Sequence, residues 1–287
     1  MAKTFKHIET TNLNSNNLMK KKVIIMTLTT TMLLFGCTTP DNTPSSPEQQ
    51  AFEKASDVNW KEVFFDSLTE DWQQQWTLDG EVATAVNTPE GIELRAGPEF
   101  KNDAHHMVLW TKESFEGDVK IEYEFTRLDS ESTGVNILYI QATGSGEEPY
   151  KTDISEWADL RRVPSMKLYF NYMNTYHISY AAFPNPDDVT DDYIRARRYM
   201  PHKTGLRGTD LAPDYIHNGF FATGVPHKMT VIKQDKNLYM RISNAEKTRY
   251  FHWHNDKLPA IETGRIGLRL MFTRASKFKD FRVSTPE

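Results

Sequence analysis

Apolar and polar residues alternate in short runs from Trp60 to the end of the chain, and turn residues separate these runs. A period of two is typical of β-strands with one face on a core and the other toward solvent. We predict strands at 63–65, 91–94, 107–110, 119–125, 135–141, 166–172, 176–182, 229–233, 238–243, 250–254, 266–273 and 278–283. A dozen short strands with little helix predict an all-β fold, a two-sheet sandwich or jelly roll.

Two connections are too long to be plain turns: 142–164, which we expect to hold a short helix over 154–161, and 183–224. Loops of this length are commonly functional. The second contains a basic cluster in an otherwise acidic protein, made of Arg195, Arg197, Arg198, His202, Lys203 and Arg207. We interpret this cluster as a rim that binds anions. The alternative is a solvated surface whose charges pair with Asp187, Asp188, Asp191 and Asp192.

The N-terminal residues have the pattern of a bacterial lipoprotein signal. Three lysines at 20–22 precede a short apolar run, which ends in Leu34-Phe35-Gly36-Cys37. The run is too short for the roughly 20 apolar residues of a membrane-spanning helix. We therefore expect 1–36 to be a signal peptide, 37–58 a flexible tether from a lipidated Cys37, and 59–287 the folded domain. Thr38 after the cysteine favours the outer membrane over the inner one.

Cysteine count and charge exclude several classes of function. Cys37 is the only cysteine, so we expect neither a disulfide nor a catalytic or metal-binding thiol in the mature protein. Removal of 1–36 takes away five lysines and one glutamate, which changes the formal net charge from −5 to −9. An acidic protein of this kind is a poor partner for nucleic acid. The sequence also has no phosphate-binding loop or dinucleotide motif, so we expect no nucleotide and no cofactor.

Polar residues within predicted strands are the candidates for a site, because such a side chain must find a partner or line a cleft. His177 shares a strand face with Ser179, whereas Tyr176, Ile178 and Tyr180 take the other face. Arg269 lies between Leu268 and Leu270 and must point away from the core they form. For both residues, the alternative is a structural side chain on a solvated sheet face.

Further candidates lie on the neighbouring predicted strands. His106 and Trp110 share one face, on which Trp110 is either a platform for a sugar ring or a core residue. Asn136, Tyr139 and Gln141 add neutral hydrogen-bonding groups, although Asn136 and Tyr139 cannot share a face without a bulge.

Two other patterns point to chemistry only weakly. Glu122 and Glu124 have the i, i+2 spacing of a glycosidase carboxylate pair, but they lie on the polar face of an ordinary amphipathic strand. His252 and His254 have a spacing that can hold zinc, yet no third ligand is evident, and we predict no metal site. A structural calcium ion held by Asp66 or Asp280 is the one exception we retain.

Histidine, tyrosine and arginine without a cofactor suit proton abstraction next to a carboxylate. In a uronic acid, an arginine can neutralise the carboxyl group while a histidine or tyrosine removes the C5 proton and a second group protonates the leaving oxygen. We assign His177, Tyr139 and Arg269 to catalysis. We assign His106, Trp110, Asn136, Gln141, Arg195 and Arg197 to binding an anionic oligosaccharide.

Four stretches also carry a family resemblance: 115–125, 134–141, 174–180 with its Tyr-His-Ile-Ser-Tyr motif, and 267–282. They resemble an uncharacterised family of concanavalin A-like jelly-roll proteins from bacterial loci for uronate-containing polysaccharides, and within it the similarity is closest to an ulvan oligosaccharide dehydratase. The resemblance implies two antiparallel sheets with long loops at a cleft. It also implies removal of water at C4 of a non-reducing-end uronate to give a 4,5-unsaturated sugar.

Three classes of function stay open at this point: a dehydratase or endo-acting lyase on uronates, a glycoside hydrolase, and a non-catalytic glycan-binding lipoprotein. Fold does not decide among them, because one sandwich serves lectins and enzymes alike.

Overall fold

The computed structural model describes residues 45–183, 191–201 and 205–287, and these form fifteen strands and two α-helices. The helices are α1 (Pro47–Ser56) and α2 (Met166–Tyr172), and a 3-10 helix covers Ile154–Arg161. The first seven strands are β1 (Trp60–Asp66), β2 (Trp76–Asp79), β3 (Thr84–Thr88), β4 (Gly91–Arg95), β5 (Met107–Glu116), β6 (Val119–Arg127) and β7 (Asn136–Thr143). The other eight are β8 (Asn174–Ala182), β9 (Tyr193–Tyr199), β10 (Asp210–Ile216), β11 (Pro226–Gln234), β12 (Asn237–Ser243), β13 (Thr248–His254), β14 (Thr263–Leu270) and β15 (Ala275–Pro286).

The strands form two antiparallel sheets. The eight-stranded sheet has the order β13-β12-β11-β6-β15-β4-β3, and β1 also pairs with β15. The seven-stranded sheet has the order β10-β9-β8-β7-β14-β5-β2. The predicted all-β sandwich of two antiparallel sheets is confirmed.

The main core lies between the two sheets, and strand alternation builds it. In β6, Val119, Ile121, Tyr123 and Phe125 are buried against the core while the residues between them are half-buried. In β14, Leu268 and Leu270 face the same core, so Arg269 lies on the opposite face of its sheet. Each large apolar side chain buried in this way contributes about 2 kcal/mol.

Helix α1 corrects the predicted boundary between tether and domain. Ser46 accepts a hydrogen bond from the Gln49 amide at the helix start, and Phe52 and Ala55 are buried in a cluster with Ile232 of β11. The predicted tether, 37–58, is therefore wrong in its second half, because two apolar side chains one turn apart dock this segment on the outer face of the eight-stranded sheet. The packed domain includes residues 47–58.

Two further element predictions are wrong. The run 166–172 is helix α2 rather than a strand, because Met166, Tyr169 and Met173 form an i, i+3, i+7 set that packs on the seven-stranded sheet. The predicted loop 183–224 contains β9 and β10, since Ile194 and Ala196 point into the core between charged neighbours. The predicted short helix over 154–161 is confirmed.

The signal peptide, Cys37 and the first residues of the tether lie outside the described residues, as do Asp187, Asp188, His202 and Lys203. Within the described ranges, no helix combines the length and the apolar character needed to cross a membrane.

Candidate functional site

The predicted site residues meet on the outer face of the seven-stranded sheet. Strand alternation places Trp110 of β5, Tyr139 of β7, His177 of β8 and Arg269 of β14 on this face, and His106 lies just before β5. Tyr139 pairs with His177 in register and with Gly267 on the other side, so the candidate residues occupy adjacent strands. The structure thus brings His177, Tyr139, Arg269, His106 and Trp110 to one face of the sheet.

The segment between β7 and β8 covers this face. Its 3-10 helix contributes Ile154 and Trp157, and α2 contributes Tyr169, all of them buried against the sheet. As a result Tyr139 and Arg269 are 0% exposed and His177 is 3% exposed. The candidate site is a buried polar layer under a helical cover.

Asp79 at the end of β2 holds this cover in place. Its carboxylate oxygen Oδ2 accepts hydrogen bonds of 2.7 Å from Trp110 Nε1, from Arg161 Nε and from the Tyr169 hydroxyl. Arg161 and Tyr169 belong to the cover and Trp110 to the sheet, so one buried carboxylate joins the two layers. Charge-assisted hydrogen bonds of this kind are about twice as strong as neutral ones.

Aromatic rings fill the space between the sheet and α2. Trp110, Tyr139 and Tyr169 stack with interplanar angles of 17° or less and centroid separations of 5.4 to 6.3 Å. Gly267 makes room for this stack, because a Cβ at that position would lie 2.5 Å from the Trp110 ring. Trp110 is therefore a core residue of this layer, and the predicted alternative of an exposed sugar platform does not fit its 1% exposure.

Arg269 is the unbalanced charge of the layer. Its Nη2 donates to Pro164 O at 2.6 Å and to His106 Nδ1 at 2.7 Å, and the guanidinium lies over the Tyr169 ring. Nε and Nη1 have no hydrogen-bond partner, and no carboxylate of the described residues forms an ion pair with Arg269. A buried guanidinium in this state costs free energy unless an anion joins it.

His177 lies between two hydroxyl groups. Its Nδ1 forms a short hydrogen bond with the Tyr199 hydroxyl, and its Nε2 lies 2.5 Å from Ser179 Oγ. Tyr139 contacts the imidazole edge-on, at a centroid distance of 5.8 Å. The hydrogen-bonded tyrosine partner of His177 is thus Tyr199, whereas Tyr139, the tyrosine assigned to catalysis from the sequence, contacts the imidazole only through its ring.

Burial keeps these groups uncharged. It lowers the pKa of His177 well below 6.5, and the positive charges of Arg197, Arg269 and Arg195 lower it further. Burial also raises the pKa of Tyr199 well above 10.0, and it raises the pKa of Tyr139 to about 12. The pKa of His106 falls to about 4 through burial and then the charge of Arg269. At neutral pH the histidines and tyrosines of the layer are therefore neutral, Asp79 and Arg161 form an ion pair, and Arg269 carries a positive charge without a counterion.

Arg195 and Arg197 form the more accessible border of the face, on β9. The side chain of Arg195 is 31% exposed and pairs with Asp214, and that of Arg197 is 13% exposed and pairs with Asp210. Both carboxylates lie on β10, in the region that was predicted to be a loop. The two arginines are thus partly neutralised, which matches the predicted alternative of paired charges, although their partners are not the aspartates named for it.

Asn136 and Gln141 do not belong to the site. Asn136 faces the other sheet and donates to Ser276 Oγ of β15. Gln141 lies at a bulge with φ 52° and donates to the carbonyl oxygens of Phe115 and Gly117. The bulge between Ile140 and Thr143 breaks the alternation from which Gln141 was assigned.

The weaker predictions lie elsewhere in the fold. His252 and His254 both contact Asn237 Oδ1, and no cluster of three metal-binding side chains occurs in the described ranges.

Asp66 accepts hydrogen bonds from the Leu68 amide and Trp76 Nε1. Glu122 and Glu124 alternate with buried residues along β6, in the other sheet from the candidate site. Asp280 contacts Lys279 at 4.0 Å.

Sequence reasoning missed Tyr199, Asp79, Arg161 and Tyr169. The alternation of Ile194 and Ala196 would have identified β9 and placed Tyr199 on the outer face. Asp79, Arg161 and Tyr169 meet only because the covering segment packs on the sheet, and no local sequence pattern predicts that contact.

A family model described as Domain of unknown function (DUF1961) matches residues 64–283. No curated protein matches the chain. A protein of unknown function with a galectin-like fold from Bacillus subtilis is 19% identical, with a TM-score of 0.61 over 79% of this chain and 100% of that chain. The metal-free carbohydrate recognition domain of Emp46p is 15% identical, with a TM-score of 0.51 over 79% of this chain and 98% of that chain. These likenesses confirm a lectin-like jelly-roll fold.

Proposed function

The chain belongs to the DUF1961 family, and we propose that it binds acidic glycans on the outer face of its seven-stranded sheet. The observation that carries this proposal is Arg269, a buried guanidinium with two unpartnered nitrogens and no ion pair to a described residue. A sugar carboxylate or sulfate supplies the missing charge and accepts two hydrogen bonds in the planar geometry that arginine favours. The carbohydrate recognition domain among the structural neighbours supports a glycan as the carrier of that anion.

The approach to Arg269 lies on the β9 side. Arg195 and Arg197 are the most accessible cations near His177, and both already contribute to its electrostatic environment. An acidic glycan arriving there exchanges the carboxylates of Asp214 and Asp210 for its own. Because Arg269 is 0% exposed, binding also requires a shift of the cover formed by α2 and the 3-10 helix.

Calorimetric titration of the purified protein with short uronate oligosaccharides tests this proposal. We expect saturable binding to acidic but not to neutral oligosaccharides, and Arg269→Met lowers the affinity at least ~10-fold because a buried charge pair is lost. Arg282→Gln is the matched control, since Arg282 is an exposed arginine of the other sheet, paired with Glu62. Equal affinity of the wild type and Arg269→Met would exclude this site.

A second candidate function is elimination at the same site, and the His177–Tyr199 hydrogen bond favours it. At neutral pH the imidazole is unprotonated and the tyrosine hydroxyl keeps its proton, so the first group can accept a proton and the second can donate one. His177 takes the C5 proton of the uronate, the C5–H electrons form the C4–C5 double bond, and the C4–O bond breaks. Tyr199 gives a proton to the leaving oxygen, which departs as water, while Arg269 neutralises the carboxylate.

Product analysis separates the two functions. Dehydration of an oligosaccharide with a saturated non-reducing-end uronate gives a new ultraviolet absorbance and a mass lower by one water, with no shortening of the chain. We expect Tyr199→Phe and His177→Ala to abolish that signal while leaving measurable binding through Arg269. Binding without any unsaturated product leaves glycan recognition as the function, and release of a saturated reducing sugar would instead indicate hydrolysis.

The proposal includes attachment to the cell envelope through Cys37, as the N-terminal pattern indicates. Metabolic labelling with a fatty acid tests it directly. Label should enter the wild-type protein and be absent from Cys37→Ser.

A further inference from the structure

Arg198 lies on the other side of β9 from Arg195 and Arg197. Ile194 and Ala196 of the same strand face the core between the sheets, and Arg198, two residues after Ala196, lies on that face too. The guanidinium lies near the ring of Tyr176, and Arg198 is 1% exposed. It is therefore separate from the candidate site on the outer face.

One edge of the Arg198 guanidinium is poorly satisfied. Nη1 donates to the Tyr199 carbonyl oxygen, but Nη2 reaches Pro259 O only at 3.3 Å and Nε has no partner. In Arg265 the corresponding edge of the guanidinium is occupied by a carboxylate. Its Nε and Nη2 donate to the two oxygens of Asp153 at 3.0 and 3.1 Å. No described carboxylate takes that position on Arg198.

A cavity opens beside this edge. Its volume is about 290 Å³, and besides Arg198 its walls are residues 208–212 and 254–258. Asp210 in the wall already pairs with Arg197 at 2.8 Å, and Asn255 donates to the Tyr176 hydroxyl. Lys257 and His254 also line the cavity, and Asp256 is the remaining acid. The volume suits a ligand of about the size of one sugar ring.

We propose that this cavity is a second oxyanion site, in which a small carboxylate-bearing ligand of monosaccharide size binds the Nε and Nη2 edge of Arg198. The ligand replaces the 3.3 Å hydrogen bond to Pro259 with two charge-assisted hydrogen bonds. Burial lowers the pKa of Arg198 to about 10, and the neighbouring Tyr176 hydroxyl opposes this shift only in part. The site is independent of Arg269, because the two arginines lie on opposite faces of the sheet.

Titration of the full chain with sodium glucuronate tests the second site, with glucose as the uncharged analogue and sodium sulfate as the inorganic competitor. We expect binding of glucuronate but not of glucose, at least a tenfold loss of affinity in Arg198→Met, and partial retention in Arg198→Lys. Arg269→Met should leave this binding in place, so failure of the proposed glycan site and failure of the second site can be distinguished. We expect sulfate to displace glucuronate, because the Nε and Nη2 edge of Arg198 binds oxyanions through charge-assisted hydrogen bonds, and lack of displacement would contradict an oxyanion site.

Thermal unfolding provides a second readout if the binding signal is small. Glucuronate should raise the melting temperature of Arg269→Met, in which only the second site is intact, but not that of the double variant Arg269→Met with Arg198→Met. In buffer without glucuronate, Arg198→Met should have a melting temperature no lower than that of the wild type, because the substitution removes a buried charge that has no counterion. Unchanged affinity in Arg198→Met, binding of glucose as tight as that of glucuronate, or no response to any acid would each overturn the proposal.

Discussion

At the scale of single residues, the buried histidines link this protein's stability to pH. Burial lowers the pKa of His106 and of His227 from 6.5 to about 4, and that of His177 well below 6.5. All three are 3% exposed or less. The folded protein therefore holds them neutral over a range in which the unfolded chain protonates them.

We predict that the free energy of unfolding falls as the pH drops from 6.5 toward 4. The folded-state pKa values lie below the unfolded one, so the unfolded chain binds more protons in this window, and each buried histidine contributes about 1.4 kcal/mol per pH unit. Guanidinium denaturation at a series of pH values measures the slope. His227→Gln should remove one histidine's share of the slope, and an unchanged slope in this variant would contradict the prediction.

The buried hydrogen-bond network around Trp110, Arg161 and Tyr169 depends on the Asp79 carboxylate. We predict that Asp79→Asn destabilises the fold by about 3 kcal/mol or more, because Arg161 becomes a buried charge without a counterion. Asp79→Asn with Arg161→Met should be less destabilised than Asp79→Asn alone, since the unpaired charge is then absent. Urea denaturation of the four proteins in this cycle measures the coupling, and additive effects would contradict the network.

The alternation of side chains between the two faces of a strand explains which site residues could be predicted from the sequence. Alternation alone placed His177 and Arg269 on the outer face, since each is flanked by core residues in a regular strand. It assigned Gln141 wrongly because one bulge inverts the parity. Asp79 could not be found from the sequence, because its three partners come from segments 31, 82 and 90 residues away.

At the scale of elements, the errors of sequence reasoning fall where one pattern fits two structures. The run 166–172 alternates well enough for a strand, yet Met166, Tyr169 and Met173 also fit a helix face, and only the sheet beneath decides between them. In β9 the arginines obscured a regular strand. The long strands of the core were predicted because their alternation of apolar and polar residues fits a strand and does not fit a helix.

Helix α1 provides a test at this scale. We predict that Phe52→Ala costs about 3 kcal/mol and detaches the helix, because Phe52 packs on Tyr250 at a centroid distance of 5.4 Å and helps bury Ile232. Hydrogen exchange of the 47–56 amides and thermal unfolding measure both effects. Lys54→Ala, an exposed position in the same helix, should change stability by no more than about 0.5 kcal/mol.

At the scale of the whole molecule, the order of strands makes folding depend on the end of the chain. Strand β15 is last in sequence, yet it pairs with β1, β4 and β6 inside the eight-stranded sheet. Its side chains Phe278, Phe281 and Val283 are buried in the core between the sheets. The sheet and the core therefore remain incomplete until the last strand is present.

We predict that deletion of 275–287 abolishes the cooperative unfolding transition, whereas deletion of Glu287 alone leaves it intact. Losing β15 removes three buried aromatic or aliphatic side chains and separates β6 from β4. The side chains alone account for about 6 kcal/mol, which is comparable to the roughly 5–15 kcal/mol that stabilises a whole domain. Differential scanning calorimetry of the two truncated proteins decides the point. Because these pairings join residues far apart in sequence, refolding of the full chain should take milliseconds to seconds or longer in a stopped-flow experiment. A cooperative transition in the chain that ends at Arg274 would mean that the remaining strands close the sandwich without β15.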